Sequence, residues 1–206
     1  MTDDRTKLSS VERVAGIGLA VIGLLAMAPV AQAQEPGSDH AGHVMAASAA
    51  ADVDSHGIVV DFELVDSAGR LVTDEDFRGR YVLLGFGFTN CTTVCPLMGL
   101  NMGRVLRSVD RAATGIFVSV DTERDTPAVT QEYASHFGDA MLGLGGSIEQ
   151  VNEAARHFKV SYAVTKTQDT YTVQHTANVF LIDPDGKLVE VFPFATAPET
   201  ILEAIR

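Results

Sequence analysis

Cysteine is scarce in this chain, which has only two, Cys91 and Cys95, among its 206 residues. With no other cysteine present, neither thiol has a competing partner within the chain. Two kinds of chemistry are therefore open to the pair, which can form a disulfide reversibly or bind a soft metal ion. Because the two residues are four positions apart and follow the apolar run at 81–88, they share one helical face or one tight turn.

Basic residues are also few, with 15 lysines and arginines against 27 aspartates and glutamates and a formal net charge of −12. The chain has no basic cluster, which argues against nucleic acid or an anionic membrane surface as a partner. Its acidity is compatible with attracting cations or a basic docking surface. An internal repeat is absent as well, and residues 58–206 have the length of one ordinary domain with a sizeable core.

The long apolar run of this sequence lies near the N-terminus, where residues 14–34 carry no charge. Three basic residues precede the run, and Ala-Gln-Ala at positions 31–33 has the small-x-small pattern of a signal-peptidase site. We therefore expect residues 1–33 to be a signal peptide that is cleaved after Ala33 and directs export to a bacterial periplasm. The run is long enough to span a bilayer, so an uncleaved anchor in the inner membrane is the alternative.

Residues 34–57 are rich in alanine, glycine, serine and aspartate, a composition that is typical of a flexible linker. They include His40, His43 and His56, with Met45 close to the first two. Imidazole and thioether groups both suit copper. We nevertheless interpret the segment as a solvated tether with incidental histidines.

Hydrophobic periodicity and turn residues predict one α/β domain over residues 58–206. The predicted strands cover 59–65, 81–88, 115–120, 178–182 and 188–192, and the predicted helices cover 95–109, 127–137, 147–158 and 198–206. The first strand leads into a turn at 66–69, which predicts an extra N-terminal hairpin. The other elements follow the order of a thioredoxin-like fold, a central mixed sheet flanked by helices. In that order the two cysteines fall at the end of the first central strand, at a helix N-terminus.

A helix N-terminus lowers the pKa of a thiol, because unsatisfied N–H groups and the positive end of the helix dipole stabilise the thiolate. The thiolate is both the nucleophile of disulfide exchange and the ligand of a soft metal, so position alone does not distinguish the two chemistries. The spacing still allows a disulfide, because the expected Cα separation of about 6 Å lies within the permitted range.

The presence of His175 favours metal binding over disulfide exchange as the chemistry of the cysteine pair. This histidine directly precedes the strand predicted over 178–182, and in a thioredoxin-like fold the loop entering this strand lies beside the active-site cysteines. Two thiolates and one imidazole make a soft three-ligand site that suits Cu(I) and adapts to Cu(II). A single histidine taken alone is more simply explained by contacts within its loop, and we interpret His136 and His157 in the same structural way.

The segment 121–127 also carries several charges, directly after the second predicted central strand. Asp121 ends that strand, and Glu123, Arg124 and Asp125 follow it. We expect Glu123, Arg124 and Asp125 to form an ion-pair cluster that holds the loop before the next helix, and we expect this structural role for the segment rather than metal binding.

Several segments together carry a family resemblance. They are Phe62 to Asp66, then Gly69, Val72, Phe77 and Gly79, the run GFGFTNCTTVCP that ends at Pro96, Val120 to Pro127, Gln174-His175-Thr176, and Phe180 to Gly186. In this order and spacing they resemble the Sco/SenC family of copper chaperones for cytochrome c oxidase assembly. The resemblance runs from residue 62 to the C-terminus and implies a thioredoxin-like domain, usually tethered at the membrane on the exported side. It also implies that Cys91, Cys95 and His175 bind copper.

The sequence departs from the family pattern next to the cysteines. Thr92 and Thr93 replace the usual Pro-Asp after the first cysteine, and Asn90 replaces a frequent histidine before it. Because an acidic residue is missing beside the thiols, we expect easier thiolate formation and a different surface toward a partner. The loop at 164–170 ahead of His175 is short for the family, so we expect this histidine to swing less freely.

Three functions stay open. As a metallochaperone, the favoured function and not an enzyme, the protein binds copper through Cys91, Cys95 and His175 and delivers it to the binuclear copper site in a subunit of a terminal cytochrome c oxidase. Another periplasmic copper chaperone or a thiol–disulfide exchanger is a further expected partner. As a thiol–disulfide reductase, it uses Cys91 and Cys95 as a redox pair, with His175 as a nearby base, to reduce the recipient's cysteines.

The third function is that of a peroxidase, because the sequence Thr-Thr-Val-Cys-Pro at 92–96 resembles the Thr-x-x-Cys of peroxiredoxins. Phe88 stands where a peroxiredoxin has proline, and His175 has no role in such an enzyme. The peroxidase is therefore the least favoured of the three functions.

Overall fold

The structure, a computed structural model, describes residues 58–205. Outside them lie the predicted leader over 1–33 with its cleavage site at Ala33, and the predicted linker over 34–57 with His40, His43, Met45 and His56. Within residues 58–205, no helix combines the length and the apolar character that crossing a bilayer requires.

Strands and helices follow one another along the described part of the chain. The strands are β1 (Glu63–Val65), β2 (Leu71–Thr73), β3 (Tyr81–Gly87), β4 (Ala113–Ser119), β5 (Met141–Leu144), β6 (Tyr162–Lys166), β7 (Tyr171–His175), β8 (Asn178–Ile182) and β9 (Leu188–Pro193). The helices are α1 (Val94–Ser108), α2 (Pro127–Ser135), α3 (Ile148–His157) and α4 (Pro198–Ala204), and a 3₁₀ turn covers Asp74–Phe77. Every element predicted from the sequence is present, although several ends differ, and the first strand begins four residues later than expected.

A mixed five-stranded sheet is the centre of the fold, with the strand order β5-β4-β3-β8-β9. β3 pairs in parallel with β4 and antiparallel with β8, and β4 pairs in parallel with β5. α1 connects the two parallel strands β3 and β4, as a crossover between parallel neighbours requires. β1 and β2 form the predicted N-terminal hairpin as a separate antiparallel pair.

The central position of β3 follows from its continuous apolar sequence, since such a strand is buried on both faces. Alternate residues of β3 enter two different cores. Leu84 and Phe86 pack with Phe158 at the end of α3, whereas Leu83 packs with residues of α1, among them Cys95 and Met98. The first turn of α1 therefore lies directly against the central sheet.

The hairpin of β6 and β7 is not predicted from the sequence, which indicates a loop before His175. The two strands pair from Tyr162 opposite His175 to Lys166 opposite Tyr171. Three of the five residues of β6 are apolar, but most of its side chains are exposed. The strand therefore has no alternation of buried apolar and exposed polar residues by which to predict it, and its backbone hydrogen bonds define the pair. The expectation of a loop at this point was therefore wrong, and His175 is the last residue of a strand.

Candidate metal centre

The two cysteines lie on either side of the start of α1. Cys91 precedes the helix by three residues, and Cys95 is its second residue. The backbone N–H of Cys95 donates to the Cys91 sulfur at 3.4 Å. Thr93, at the N-cap position, offers no side-chain hydrogen bond, so the Cys91 sulfur takes up an N–H group that the first helical turn leaves without a partner. Both cysteines are free thiols.

The Cys91 thiol loses its proton more easily than an ordinary cysteine thiol. Partial burial opposes the thiolate, but backbone N–H groups of Cys95, Thr93 and Val94 point toward the sulfur, and together they hold the pKa of Cys91 below its ordinary value. The expected effect of a helix N-terminus is therefore confirmed for this residue. Because Cys91 is only half-buried, its sulfur is the one that an incoming group can reach.

Cys95 behaves in the opposite way. Its side chain is fully buried, and this burial, reinforced by the neighbouring Cys91, raises the pKa of Cys95 to about 12 against the opposing influence of the Phe88 backbone. The expectation of easy ionisation was wrong for this thiol, because packing against β3 outweighs the helix terminus. The packing is close: a Cβ atom added to Gly87 would lie 2.9 Å from the Cys95 sulfur.

His175 reaches this cluster from the end of β7. Its Nε2 lies 3.6 Å from the Cys95 sulfur, and its Nδ1 lies 3.0 Å from the carbonyl oxygen of Thr176. Because a carbonyl only accepts hydrogen bonds, Nδ1 carries the proton and Nε2 presents its lone pair to the sulfur. Burial lowers the pKa of His175, although the Thr176 carbonyl opposes this effect. The imidazole is thus kept neutral, which is the form that binds a metal ion.

Each of the other two predicted ligands therefore contacts Cys95: the Cys91 sulfur accepts from the Cys95 backbone N–H, and the His175 imidazole faces the Cys95 sulfur. In a tetrahedral zinc site, with bonds of about 2.3 Å to sulfur and 2.0 Å to nitrogen, a sulfur and a nitrogen ligand lie about 3.5 Å apart. The Cys95 sulfur and Nε2 of His175, at 3.6 Å, have a similar separation. In residues 58–205, no group of three or more His, Cys, Asp or Glu side chains is spaced to hold a metal ion.

A buried carboxylate supports the loop that leads to Cys91. Asp125 accepts hydrogen bonds from the backbone N–H of Thr89 at 2.7 Å, from the Thr89 hydroxyl at 2.6 Å and from the Ser119 hydroxyl at 2.6 Å. Ser119 ends β4, so Asp125 ties the cysteine loop to the neighbouring strand. A structural role for this segment was expected, but the partners of Asp125 are hydroxyls and an amide rather than a cation.

The expected ion-pair cluster of Glu123, Arg124 and Asp125 does not form, because Arg124 pairs instead with Asp121 just after the end of β4, at 2.5 Å. Glu123 pairs outside the segment, with Lys166 of β6. Tyr171 of β7 adds a contact that the sequence does not indicate, since its hydroxyl donates to Asp121 at 2.5 Å. No local pattern could reveal this contact, because 50 positions separate the two residues.

Tyr133 of α2 also lies near the thiols. Its ring packs between Phe117 and Phe137, with centroids 5.0 and 5.1 Å away. Burial raises the pKa of its hydroxyl, and the nearby Cys95 and Cys91 raise it further. Among the described residues this hydroxyl has no hydrogen-bond partner.

His136, directly after α2, and His157, the last residue of α3, both have structural partners, as the sequence interpretation expects. Nδ1 of His157 donates to the backbone carbonyl of Asp61 at 2.9 Å, and its Nε2 lies 3.2 Å from Glu153. Nδ1 of His136 lies 3.3 Å from the carbonyl of Tyr133. Neither histidine takes part in the cluster around Cys95.

Known proteins share both this sequence and this fold. Residues 50–206 match the SCO1/SenC family model. The mitochondrial SCO2 homolog of Bos taurus is 37% identical over 154 residues, which cover 71% of this chain and 58% of that protein. The chain thus spans under two thirds of the length of this relative.

Two solved structures are similar to this chain in both sequence and fold. The copper-bound ScoI of Bradyrhizobium japonicum is 36% identical, with a TM-score of 0.63 over 71% of this chain and 96% of that chain. The apo Sco1 of Thermus thermophilus is 37% identical, with a TM-score of 0.66 over 72% and 92%. The predicted thioredoxin-like α/β fold is confirmed, and the chain belongs to the SCO1/SenC family.

Proposed function

We propose that the protein is a metallochaperone that binds one copper ion through Cys91, Cys95 and His175. The observation that carries the proposal is the contact of 3.6 Å between the Cys95 sulfur and Nε2 of a neutral His175. Two sulfurs and an imidazole form a soft donor set, which suits Cu(I) and adapts to Cu(II). The copper-bound Bradyrhizobium relative supports the choice of this metal.

The unequal thiols suggest an order of binding. Cys91 has the lowered pKa and the accessible sulfur, so it receives the ion first as a thiolate. The lone pair of His175 and the Cys95 sulfur then complete the site, and Cys95 loses its proton as the metal bond forms. Release follows the reverse path. A thiolate of the recipient attacks the ion on the Cys91 side and replaces the ligands of this protein one at a time.

The recipient in this proposal is the copper-receiving subunit of a terminal cytochrome c oxidase, at its binuclear copper site. Support comes from the family resemblance. Residues 1–33 would carry the domain at 58–206 into the bacterial periplasm or anchor it to the inner membrane, and residues 34–57 would serve as the tether. A second periplasmic copper chaperone is a fitting donor of the ion, because a bound ion passes between soft ligands by exchange.

Titration of the reduced protein with Cu(I), in competition with a chromophoric chelator, tests the proposal. We expect one ion per chain, strong loss of affinity in Cys91→Ser and Cys95→Ser, and a loss of at least about tenfold in His175→Ala. His136→Ala is the matched control and should bind as the unaltered protein does, since His136 is exposed and away from the cluster. An unchanged affinity in His175→Ala would remove the third ligand and overturn the proposal.

Thiol–disulfide reduction is the second candidate, and the contrast between the two thiols favours it. An accessible thiol of lowered pKa beside a buried thiol of raised pKa fits a pair in which Cys91 attacks a disulfide and Cys95 resolves the product. Such a protein would prepare the cysteines of the copper recipient. In Cys95→Ser we expect a trapped mixed disulfide with a cysteine-containing substrate, and in Cys91→Ser none. A disulfide potential below about −300 mV, as in resistant structural bridges, would contradict this candidate.

A further inference from the structure

The position of His175 depends on a strand pair that stands apart from the central sheet. β6 and β7 form their own two-stranded sheet and share no ladder with the five central strands. A two-stranded hairpin is only marginally stable by itself in water. The short connection from His175 to β8 at Asn178 and the contact of its ring with Phe88, at a centroid distance of 5.8 Å, hold one end of the hairpin. The rest of its placement depends on the side-chain contacts that attach β7 to the domain.

Side chains on one face of β7 make these contacts, because alternate residues of a strand point to the same side. Val173 is buried in the core, and His175 contacts Cys95. At the other end of the strand, the Tyr171 hydroxyl donates to Oδ1 of Asp121 at 2.5 Å. Tyr171 and His175 thus hold the two ends of one face of β7.

Asp121 is a rigid acceptor for this hydroxyl. It is buried, and its other carboxylate oxygen pairs with Arg124 at 2.5 Å. The guanidinium of Arg124 also lies 3.8 Å from the centroid of the Tyr171 ring, at a distance typical of a cation–π contact. The tyrosine is consequently held at its hydroxyl and across its ring by the same pair of residues.

The same short loop also holds the cysteines. Asp125, four residues after Asp121, accepts the hydrogen bonds from Thr89 and Ser119 that tie down the segment before Cys91. Segment 121–125 therefore contacts the histidine strand at one end and the cysteine loop at the other, and the two ligand-bearing segments share one support.

We propose that Tyr171 is a positioning residue for His175, and that its hydrogen bond to Asp121 sets the distance from the imidazole to the Cys95 sulfur. This inference rests on the proposed function, in which His175 is a copper ligand. Residues that orient metal ligands change affinity by about 10- to 100-fold when they are altered. Because Tyr171 acts along a strand rather than on the ring itself, we expect a loss of about tenfold, the lower end of that range.

Tyr171→Phe tests the proposal, because it removes the hydroxyl and leaves the ring beneath Arg124. Cu(I) affinity is measured on reduced protein for the unaltered chain, Tyr171→Phe, His175→Ala and the double variant. The single tyrosine change should weaken binding about tenfold, whereas in the His175→Ala background it should cause no further loss. A general loosening of the domain would lower affinity in both backgrounds and would overturn the proposal.

Tyr162→Phe is the matched control. Tyr162 lies opposite His175 on β6, and its hydroxyl donates to Asn152 of α3 rather than to segment 121–125. The copper affinity of Tyr162→Phe should equal that of the unaltered protein. A loss of affinity as large as that of Tyr171→Phe would overturn the role of the Asp121 contact. Asp121→Asn weakens the same hydrogen bond from the acceptor side and also removes the ion pair with Arg124. Its loss of affinity should therefore be at least as large as that of Tyr171→Phe, and it should be smaller in the Tyr171→Phe background than in the unaltered protein.

A measurement without copper separates this inference from the proposed function. In reduced, metal-free protein, the NMR resonances of the His175 imidazole should shift in Tyr171→Phe and stay in place in Tyr162→Phe. If the imidazole resonances are unchanged in Tyr171→Phe while His175→Ala weakens copper binding, the positioning role is overturned and the proposed function stands. Unchanged copper binding in His175→Ala would instead overturn the proposed function.

Discussion

The sulfur of Cys95 lies 3.6 Å from Nε2 of His175, although 80 positions separate the two residues in the sequence. Cys95 reaches this point from the first turn of α1, and His175 reaches it from the end of β7. The Thr176 carbonyl keeps the imidazole proton on Nδ1, so Nε2 and the sulfur face each other as two potential ligands.

Cys91 should react with alkylating agents much faster than Cys95. The Cys91 sulfur is half-buried and has a lowered pKa, whereas Cys95 is fully buried with a pKa of about 12. In reduced, metal-free protein near neutral pH, we expect Cys91→Ser to slow alkylation by iodoacetamide at least about tenfold. Cys95→Ser should leave the rate nearly unchanged. Mass spectrometry locates the label, and preferential labelling of Cys95 would contradict the assignment.

The metal-free protein should lose stability in acid through His175. Burial holds the pKa of this imidazole below 6.5 in the folded state, so the unfolded chain takes up the proton at a higher pH. The contribution of neutral His175 is therefore complete above about 6.5 and is lost as the pH falls through the folded pKa. Urea unfolding at a series of pH values should show a steeper loss for the unaltered protein than for His175→Gln.

The difference between those two slopes should not exceed about 1.4 kcal/mol per pH unit, the effect of one proton. His136→Gln is the control for loss of an exposed histidine. Equal slopes for the unaltered protein and His175→Gln would mean that the imidazole is equally easy to protonate in both states.

Gly87→Ala should destabilise the fold and disturb Cys95. A Cβ atom at this position would lie 2.7 Å from the Phe117 ring and 2.9 Å from the Cys95 sulfur. Overpacking of this kind costs about 1–3 kcal/mol in the free energy of unfolding, which urea denaturation measures. Gly145→Ala is a suitable control, because its Cβ atom would meet Pro127 at an acceptable 3.4 Å. A loss for Gly87→Ala no larger than for Gly145→Ala would refute the close packing.

Asp125→Ala should be costly despite the small size of the change. The substitution leaves the N–H and hydroxyl of Thr89 and the hydroxyl of Ser119 without their acceptor. Buried donors that lose a charged partner cost about 1–3 kcal/mol or more, so we expect a loss of about 3 kcal/mol. Asp139→Ala, at an exposed position, should change the free energy of unfolding by less than about 0.5 kcal/mol. Comparable effects of the two substitutions would contradict the proposed support of the cysteine loop.

Tyr133→Phe should stabilise the reduced, metal-free protein. The Tyr133 hydroxyl is buried, and among the described residues it has no hydrogen-bond partner. Removing an unsatisfied buried hydroxyl recovers about 1 kcal/mol, and the ring keeps its contacts with Phe117 and Phe137. Thermal unfolding should therefore occur at a higher temperature than in the unaltered protein. Destabilisation would show that the hydroxyl has a partner, such as a bound water.

Local patterns in the sequence are sufficient for most elements of the fold. Thr126 begins α2 by accepting from the N–H of Val129, and Ser147 begins α3 in a capping box with Gln150. The continuous apolar residues of β3 are equally informative, because only a buried strand accommodates them. Each of these signals lies within a few residues of the chain, which is why it can be recognised without a structure.

Only part of the candidate site can be predicted from the sequence. Cys91, Cys95 and His175 stand out by residue type and by family resemblance, and their role as copper ligands stays a prediction, as does the leader over 1–33. The sequence does not reveal that Asp125 supports the loop before Cys91 by accepting from Thr89, or that Tyr171 donates to Asp121. Those contacts join residues 36 to 50 positions apart, so no local spacing encodes them.

The sequence by itself determined that the two thiols stand at the start of a helix after a buried strand. Tertiary structure alone decided that they differ, because burial against Gly87 and β3 raises the pKa of Cys95 while backbone N–H groups lower that of Cys91. It also decided that His175 ends a strand and meets Cys95. The physical reason is the same in both cases: desolvation and contact depend on which distant parts of the chain pack together, whereas strand and helix formation depend mainly on neighbouring residues.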